Sequence, residues 1–391
     1  MVGISEIRLR TTTYQNNQDI ISVDTNHVKF YNNSAYNAFR NSQNLDTVTN
    51  LNENITNMAY TFYNCHNLIN APEIPNNITN MYFTFDNCSN LVNAPEIPNN
   101  VTVISGTFQN CHNLVNAPVI PNSVIYMRQT FGSCRNLVNA PEIPNSVTDI
   151  SGTFGSCYNL VNASEIPNSV TNMSRTFAAC YNLVNAPVIP DSVIDMSQTF
   201  AACTNLVNAP DMSNATNVIS MYQTFASCSN LVNAPVIPGS VTNMYGTFWM
   251  CNNLVNAPEI IPNSVTNMYY TFNGCSNLVN APIIPNSVSD IYGIFHGCHN
   301  LVNAPVIPNN VNNMGYAFYG CYNLIDDIII HSENIINASA CFSGTSLIKN
   351  VYIPFQNNGV YTQTYNSFTQ YYSTDPNNRV NGVLLMDIAT L

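Results

Sequence analysis

A unit of 23 residues recurs along most of this chain and constrains its fold more than any other feature. Its consensus is TFxxCxNLVNAPxIPNSVTNM, and 12 of the 13 cysteines occupy one position in it, from Cys65 to Cys321. Two short insertions interrupt the period, one within residues 211–220 and one at the doubled isoleucine Ile260 and Ile261. A fixed period of this length predicts a repeat solenoid of stacked coils rather than separate globular domains.

The repeat extends beyond these cysteines at both ends. An imperfect first unit lies around Phe39 and an imperfect last unit around Phe342, and each has a hydroxyl residue in place of Cys. Such terminal units are expected where one side of a coil meets water or a cap. We therefore predict an N-terminal cap in residues 1–35, about fourteen coils in residues 36–354, and a C-terminal cap or attachment segment in residues 355–391.

The consensus places Phe, Cys, Leu, Ala, Ile, Val and Met at fixed positions, so stacked coils would form columns of identical apolar side chains. One coil cannot bury these side chains alone, so stability would come from contacts between neighbours. The two prolines of A-P-x-I-P lack backbone donors, which argues against a long strand there. We predict a short parallel strand per coil near S-V-T-N-M and a helical turn near T-F-x-x-C.

The cysteine column raises the question of disulfides and metal sites. Cysteines one coil apart would lie about 4.8 Å apart with parallel side chains, whereas disulfide-bonded Cβ atoms lie about 3.8 Å apart. No CxxC motif or paired Cys and His spacing of a metal site occurs. We predict reduced thiols that act as small core residues, with no metal and no cofactor, and keep disulfides or a string of metal ions between coils as alternatives.

Two polar columns accompany the apolar ones. The N-L-V-N segment repeats two Asn positions, such as Asn67 and Asn70, whose amides either hydrogen-bond from coil to coil or form an exposed polar turn. A Thr precedes Phe in most units, from Thr61 to Thr199 and beyond. A regular Thr column raises the hypothesis of a flat ice-binding array, although no second Thr lies two residues away to complete a plane.

The unit resembles the BspA-type leucine-rich repeat, in which an A-F-x-x-C turn precedes a Leu-led strand, an I-P step and a V-x-x-I stretch. The segment CFSGTSLIKNVYIP, residues 341–354, follows that pattern more closely than the central units, whose L-V-N-A-P-x-I-P is longer and richer in proline. The resemblance covers roughly residues 36–354. It implies a leucine-rich-repeat-like fold without shared enzymatic activity, used by surface and adhesion proteins of bacteria, some protists and viruses.

Charge and hydropathy exclude several partners. Only 8% of residues are charged, with 9 Lys and Arg against 21 Asp and Glu. No basic stripe exists to displace counterions from a phosphate backbone, so nucleic-acid binding is disfavoured. No apolar stretch approaches the ~18 residues that span a bilayer, and the start lacks the apolar run of a secretory signal. We expect a protein of the extracellular space, a virion or a cell surface, exported without a visible signal, with a cytoplasmic location as the alternative.

Five positions around T-F-x-x-C vary between units while their surroundings stay nearly constant, and they carry Tyr, Ser, Gly and Asn, the composition of a recognition surface. We predict that this face binds a glycan or a protein partner, the alternative being exposed turns that vary freely. The candidate residues are Tyr60, Tyr82, Arg128, Tyr158, Tyr181, Trp249, Tyr269, Tyr270, Tyr292, His296, Tyr316, Tyr319 and Tyr322.

Two other functions remain open. The first is a structural spacer or virion assembly protein that binds only its own neighbours. The second is a solenoid glycoside hydrolase, because Glu recurs at the x of A-P-x-I-P and neighbours such as Glu142 and Glu165 could lie about 5 Å apart, the carboxyl separation of retaining enzymes. The same carboxylates could instead hold Ca²⁺, or form a solvated acidic stripe. This Glu column comprises Glu73, Glu96, Glu142, Glu165 and Glu259.

Overall fold

The computed structural model describes residues 20–25, 30–376, 380 and 383–391. The chain forms two compact units, Met1–Val193 and Ile194–Leu391, and each contains a stack of coils. Most of the predicted N-terminal cap, residues 1–19 and 26–29, lies outside the described residues. The repeat solenoid predicted from the period is confirmed within each unit, since residues one period apart pair as parallel bridges in many successive coils.

Regular secondary structure is confined to the ends of the described chain. In the first unit, strand β1 (Ser22–Asp24) pairs in parallel with β2 (Thr47–Thr49). In the second unit, β3 (Ile328–Ile329), β4 (Asn350–Ile353) and β7 (Leu384–Asp387) form a parallel sheet in that order, and β5 (Gln356–Asn357) pairs antiparallel with β6 (Val360–Tyr361). Helix α1 spans Gln363–Thr369, and 3₁₀ turns span Tyr31–Asn33 and Ile388–Thr390.

In the central coils the predicted strand is reduced to single-residue bridges. One column of bridges runs through the second Asn of N-L-V-N, as in Asn93 to Asn116, and another through the residue before Met or Ile, as in Val103 to Tyr126. Prolines follow the first column closely and remove the donors that would extend it. The sheet is therefore present as narrow parallel ladders rather than as broad strands.

The T-F-x-x-C segment is a run of turns, so the prediction of a helical turn there is wrong. Its N–H groups alternate in direction: Phe85 donates to the Thr107 carbonyl of the next coil (2.8 Å), and Cys88 closes a turn onto the Phe85 carbonyl (3.0 Å). Two residues per coil also have left-handed backbone, such as Gln129 (φ 54°) and Ser133 (φ 62°). A helix would turn every N–H back along its own chain, whereas this arrangement connects each coil to the next.

Columns of identical side chains form the core of both units. Phe rings one coil apart stack almost in parallel, with centroids 5.6 Å apart for Phe108 and Phe131 and 5.5 Å apart for Phe248 and Phe272. The Cys and Leu of each coil are fully buried beside them. At the end of the second unit, the column continues into Phe368, whose ring centroid lies 6.0 Å from that of Phe342.

All 13 cysteines are free and buried, which confirms the prediction of reduced thiols in the core. Thiols of this column also donate hydrogen bonds, a role that the sequence did not reveal. The Sγ of Cys134 donates to the Phe108 carbonyl of the preceding coil at 3.0 Å, and that carbonyl also accepts from the Cys111 N–H at 3.1 Å. Burial raises the pKa of the thiols, to about 12 for Cys65, and keeps them protonated as donors.

The Thr column is buried, so an ice-binding array is excluded for it. The Oγ1 of Thr130 donates to the Met127 carbonyl of its own coil at 2.8 Å and lies 3.0 Å from the Ile104 carbonyl of the preceding coil. Thr130 and its equivalents are fully buried in the described coils of both units. The hydroxyl therefore joins neighbouring turns from inside the core.

Both alternatives predicted for the Asn columns apply. The side chains are exposed, and they are also hydrogen-bonded from coil to coil. Asn162 donates through Nδ2 to Asn139 Oδ1 at 2.8 Å, and Asn303 donates to Asn280 at 2.6 Å. Each amide can donate to one neighbour and accept from the other, so a column satisfies itself. These amide ladders border the narrow parallel ladders on the surface of each unit.

Asp86 gives a pH-dependent test of the first unit. Its carboxylate is buried beside the Asn110 amide, and desolvation raises its pKa to about 6. Because the folded-state pKa lies above the unfolded value, the folded state binds the proton more tightly, and the free energy of unfolding falls as pH rises from about 4 to 7. We expect Asp86→Asn to stabilise the unit by about 1–2 kcal/mol at pH 7.

The measurement is urea unfolding followed by circular dichroism at several pH values between about 4 and 7. Asp86→Asn keeps an acceptor for Asn110 and should flatten the pH dependence in this range. Glu96→Gln, at an exposed position, removes one charge elsewhere in the same unit and serves as the control. Equal pH profiles for the wild type and Asp86→Asn would show that this carboxylate is not held in its neutral form.

Candidate recognition surface

Four consecutive coils of the second unit stack a tyrosine at the position directly after Met or Ile. Their ring centroids are 5.0, 5.1 and 4.9 Å apart in succession, and their planes are within 22° of parallel. The four rings are half-buried on the outside of the T-F-x-x-C turns. We call this row the tyrosine ridge, and it consists of Tyr222, Tyr245, Tyr269 and Tyr292.

Tyr270 packs edge-on against the ridge, with its centroid 4.5 Å from that of Tyr269 and 5.6 Å from that of Tyr292. Its backbone is left-handed (φ 55°), a conformation that costs a bulky residue about 1–2 kcal/mol. The ring lies against Gly293 of the next coil, where a Cβ atom would come within 2.2 Å of it. The alternation of a large and a small residue therefore fixes the position of Tyr270.

The aromatic surface continues beyond the ridge. Tyr316 lies 5.5 Å from Tyr292 between centroids, and it contacts both His296 (6.3 Å) and Tyr319 (5.7 Å). His296 packs edge-on against Tyr319 at 4.9 Å, and burial lowers the pKa of its imidazole. Six of the predicted residues are thus brought into one contiguous surface with the ridge: Tyr269, Tyr270, Tyr292, His296, Tyr316 and Tyr319.

The surface is polar at its rim and carries no cation nearby in sequence. Desolvation raises the pKa values of Tyr269, Tyr270 and Tyr292, so their hydroxyls stay protonated at neutral pH. No Lys or Arg occurs between Arg175 and Lys349, whereas Asp and Glu do. The ridge therefore presents phenol hydroxyls and ring edges in an acidic stretch of the chain.

The predicted residues of the first unit fall into separate groups. Tyr60 and Tyr82 contact each other at 5.4 Å between centroids, and the Arg40 guanidinium lies 5.3 Å from the Tyr60 ring. Tyr158 and Tyr181 stack at 4.8 Å. Elsewhere, the Arg128 Nε lies 2.9 Å from Ser151 Oγ and 3.5 Å from Asp149 Oδ2. These groups are smaller than the surface in the second unit.

Two predicted residues of the second unit lie apart from the ridge, and two ridge residues were missed. Trp249 is 40% exposed, and Tyr322 stacks on His299 at 5.0 Å. Tyr222 and Tyr245 were not predicted, although they occupy one of the five variable positions. The signal that identifies them is Tyr in the same position of four successive units. A prediction based on single residues does not use this recurrence.

The carboxylates of the Glu column lie on the surface. Glu73, Glu96, Glu142 and Glu165 are exposed at their repeat position. Glu259 is an insertion, because Ile261 is the buried isoleucine of that coil and Ile260 therefore takes the x position. Among the described residues, no group of three or more His, Cys, Asp or Glu is arranged to hold a metal ion. No helix in the described part of the chain is long and apolar enough to span a membrane.

Three overlapping stretches, residues 14–138, 127–255 and 246–373, match the sequence model of the BspA type leucine rich repeat region in 6 copies. The chain belongs to the BspA-type leucine-rich repeat family. The resemblance inferred from the repeat unit is thereby confirmed, and so is the leucine-rich-repeat-like fold with its short parallel ladders. A comparison with curated protein sequences gives no match.

A solved structure shows the same fold for this BspA-type protein. A leucine-rich repeat protein from Bacteroides ovatus is similar with a TM-score of 0.59 and 20% identity, over 98% of this chain and 94% of that one. A leucine-rich cell surface protein from Faecalibacterium prausnitzii has a TM-score of 0.43 and 20% identity, over 79% and 82% of the two chains. At 20% identity, the likeness to the Bacteroides ovatus protein is one of fold.

Proposed function

We propose that this protein is a non-enzymatic recognition protein that binds a partner through the tyrosine ridge. The observation that carries the proposal is the ridge itself, four stacked tyrosines in coils whose core residues are otherwise nearly identical. Other coils fold with Ser at this position, as at Ser151 and Ser174, so the fold does not need an aromatic ring there. Tyrosine provides a large contact area with little loss of side-chain entropy on binding.

Tyr270 adds support, because it places a large ring at a left-handed position that holds Gly152 and Gly246 in other coils. The ring packs edge-on against Tyr269 and Tyr292 and widens the aromatic surface, with centroids 4.5 and 5.6 Å away. Because other coils fold with Gly at this position, the fold does not require the Tyr270 ring, which is available for contact with a partner.

A protein is the partner that the geometry favours. Each inner ring of the ridge has its faces against neighbouring rings, so a ligand meets ring edges and hydroxyls instead of open faces. Tyrosines of this kind, apolar with one polar tip, are enriched at protein interfaces. The lack of Lys and Arg around the ridge favours a partner with a basic surface, through charge complementarity.

A glycan is the second candidate, and Trp249 favours it. Trp249 is 40% exposed and lies outside the stacked row, and an accessible indole suits contact with the apolar face of a sugar ring. Such a site would be a single contact instead of an extended surface. For either ligand, we propose a location on a cell surface or virion, in keeping with the resemblance to BspA-type surface proteins.

Binding to arrays of extracellular proteins and of glycans tests these proposals. Replacing Tyr269 and Tyr292 with Ala should weaken protein binding at least about 100-fold, because each buried interface tyrosine contributes about 2 kcal/mol. Gly293→Ala should also weaken it, since the added Cβ displaces the Tyr270 ring without removing a contact atom. Tyr126→Ala, an exposed tyrosine of the first unit, is the matched control and should bind normally.

Each other outcome identifies a different function. Glycan binding that is lost on Trp249→Ala supports the second candidate. Oligosaccharide cleavage abolished by Glu142→Gln would show a hydrolase. Binding that survives the double tyrosine replacement contradicts the role of the ridge, and self-assembly with no ligand on either array favours a structural spacer.

A further inference from the structure

A second exposed row in the second unit is apolar. The x residues of four successive A-P-x-I-P segments are Val236, Ile260, Ile283 and Val306, and they are 73%, 72%, 83% and 47% exposed. The β3–β4–β7 sheet continues the same row with three half-buried residues, Ile329, Tyr352 and Met386. We call these seven residues the apolar stripe. Contiguous exposed apolar rows of this kind mark interaction sites.

The same repeat position has the opposite character in the first unit. It is acidic in four of six coils, at Glu73, Glu96, Glu142 and Glu165, and all four side chains are exposed. Two copies of that unit facing each other through this position would place carboxylates against carboxylates, which is repulsive. Association through the x position is therefore confined to the second unit.

The repeat spacing selects the kind of partner. Coils are spaced by about 4.8 Å, so an extended strand, whose same-face side chains repeat at about 6.6 Å, loses register within a few coils. A second copy of the stripe has the identical spacing along its whole length. A two-fold axis at Val306 would then oppose Ile283 with Ile329, Ile260 with Tyr352 and Val236 with Met386. This is an isologous contact in which every apolar side chain meets another.

The size of the stripe sets the strength of the contact. Six steps of about 4.8 Å give a length of about 29 Å, and four extended residues give a width of about 13 Å. Two copies would bury about 800 Å² in total, the area of a weak and transient association. We infer that the second unit forms a weak two-fold dimer with another copy of this chain through the apolar stripe, at a Kd of about 10–100 µM.

Sedimentation of the full chain between about 1 and 300 µM, a range that brackets this Kd, tests the inference. The wild type should shift from monomer to dimer. Ile283→Glu should remain monomeric, since it buries a carboxylate on each side of the two-fold axis against the apolar Ile329 of the other copy. Val119→Glu is the matched control: it is 87% exposed at the same repeat position in the first unit, and it should dimerise like the wild type.

Salt provides a second readout. The second unit carries Asp and Glu but no Lys or Arg before Lys349, so screening the repulsion between two copies should strengthen an apolar dimer. Salt would instead weaken a contact based on opposite charges. A wild type that stays monomeric at every concentration would overturn the inference, and so would a dimer that Ile283→Glu leaves unchanged. Because Ile283 is exposed, the variant should melt at the wild-type temperature, and a monomer caused by unfolding would be recognised by circular dichroism.

Discussion

Phe272→Ala should lower the free energy of unfolding of the second unit by about 4 kcal/mol. The Phe272 ring is fully buried between Phe248 and Phe295, with centroids 5.5 and 5.7 Å away. Removing it opens a cavity that both neighbouring coils line, and stacked turns fixed by backbone hydrogen bonds on each side cannot close over it. Urea unfolding followed by the fluorescence of Trp249, the sole tryptophan, measures the effect within this unit.

The control is an aromatic residue of the same unit that lies outside the core. Tyr322→Ala removes an exposed ring and should change the free energy of unfolding by about 0.5 kcal/mol or less. Phe272→Leu should have an intermediate effect of about 1.5 kcal/mol, because most of the volume is retained. Equal effects of Phe272→Ala and Tyr322→Ala would mean that the phenylalanine column does not carry the stability of the stack.

The column could be predicted because period and chemistry agree. Phe272 and Cys275 recur at a constant distance in almost every unit, and only stacking buries so many identical apolar groups. The core columns continue past both insertions, as predicted. Which residue of each segment is the inserted one did not follow from the sequence. At the second insertion the alignment assigned Glu259 to the x position, whereas burial of Ile261 assigns that position to Ile260.

The turns could not be predicted, because their backbone depends on the neighbouring coil. Left-handed residues are usually signalled by Gly, yet the equivalent positions hold Gln129, Arg175 and Tyr270. The hydrogen bonds between coils compensate for the cost of these conformations. No local sequence pattern predicts which residues are left-handed. For the same reason the sequence left open a surface role for the Thr column, although the hydroxyl of Thr130 is satisfied by two carbonyls inside the core.

The aromatic surface was partly predictable. Composition identified the variable face and residues such as Tyr269 and Tyr292, because tyrosine at unconstrained positions is typical of recognition. Which rings contact one another depends on the order of residues along successive coils. The stack from Tyr222 onwards and the match between Tyr270 and Gly293 became visible only with the coils in register.

Replacing three successive cysteines of the second unit with Ala should destabilise it by about 5 kcal/mol, and replacing them with Ser by about half as much. Each thiol donates to a Phe carbonyl of the preceding coil at 3.1 Å, so Ala loses both the sulfur's contacts and a buried hydrogen bond. Ser loses the volume but keeps a hydroxyl donor. The three residues are Cys275, Cys298 and Cys321.

The comparison separates two roles for the thiol column. If the sulfur acted only as a small apolar group, Ala would be tolerated better than Ser, because burying a hydroxyl carries a desolvation penalty. If the S–H donor matters, Ser is the milder change, because its hydroxyl keeps a donor. In the terminal unit, Thr345 stands in place of Cys and donates through Oγ1 to the Phe342 carbonyl of its own coil at 2.6 Å. The urea midpoints of the two triple variants decide between the packing role and the donor role. Single Cys298→Ala and Cys298→Ser variants test the same difference with a smaller loss of stability. An Ala variant more stable than its Ser counterpart would contradict the donor role and leave packing as the sole reason for the column.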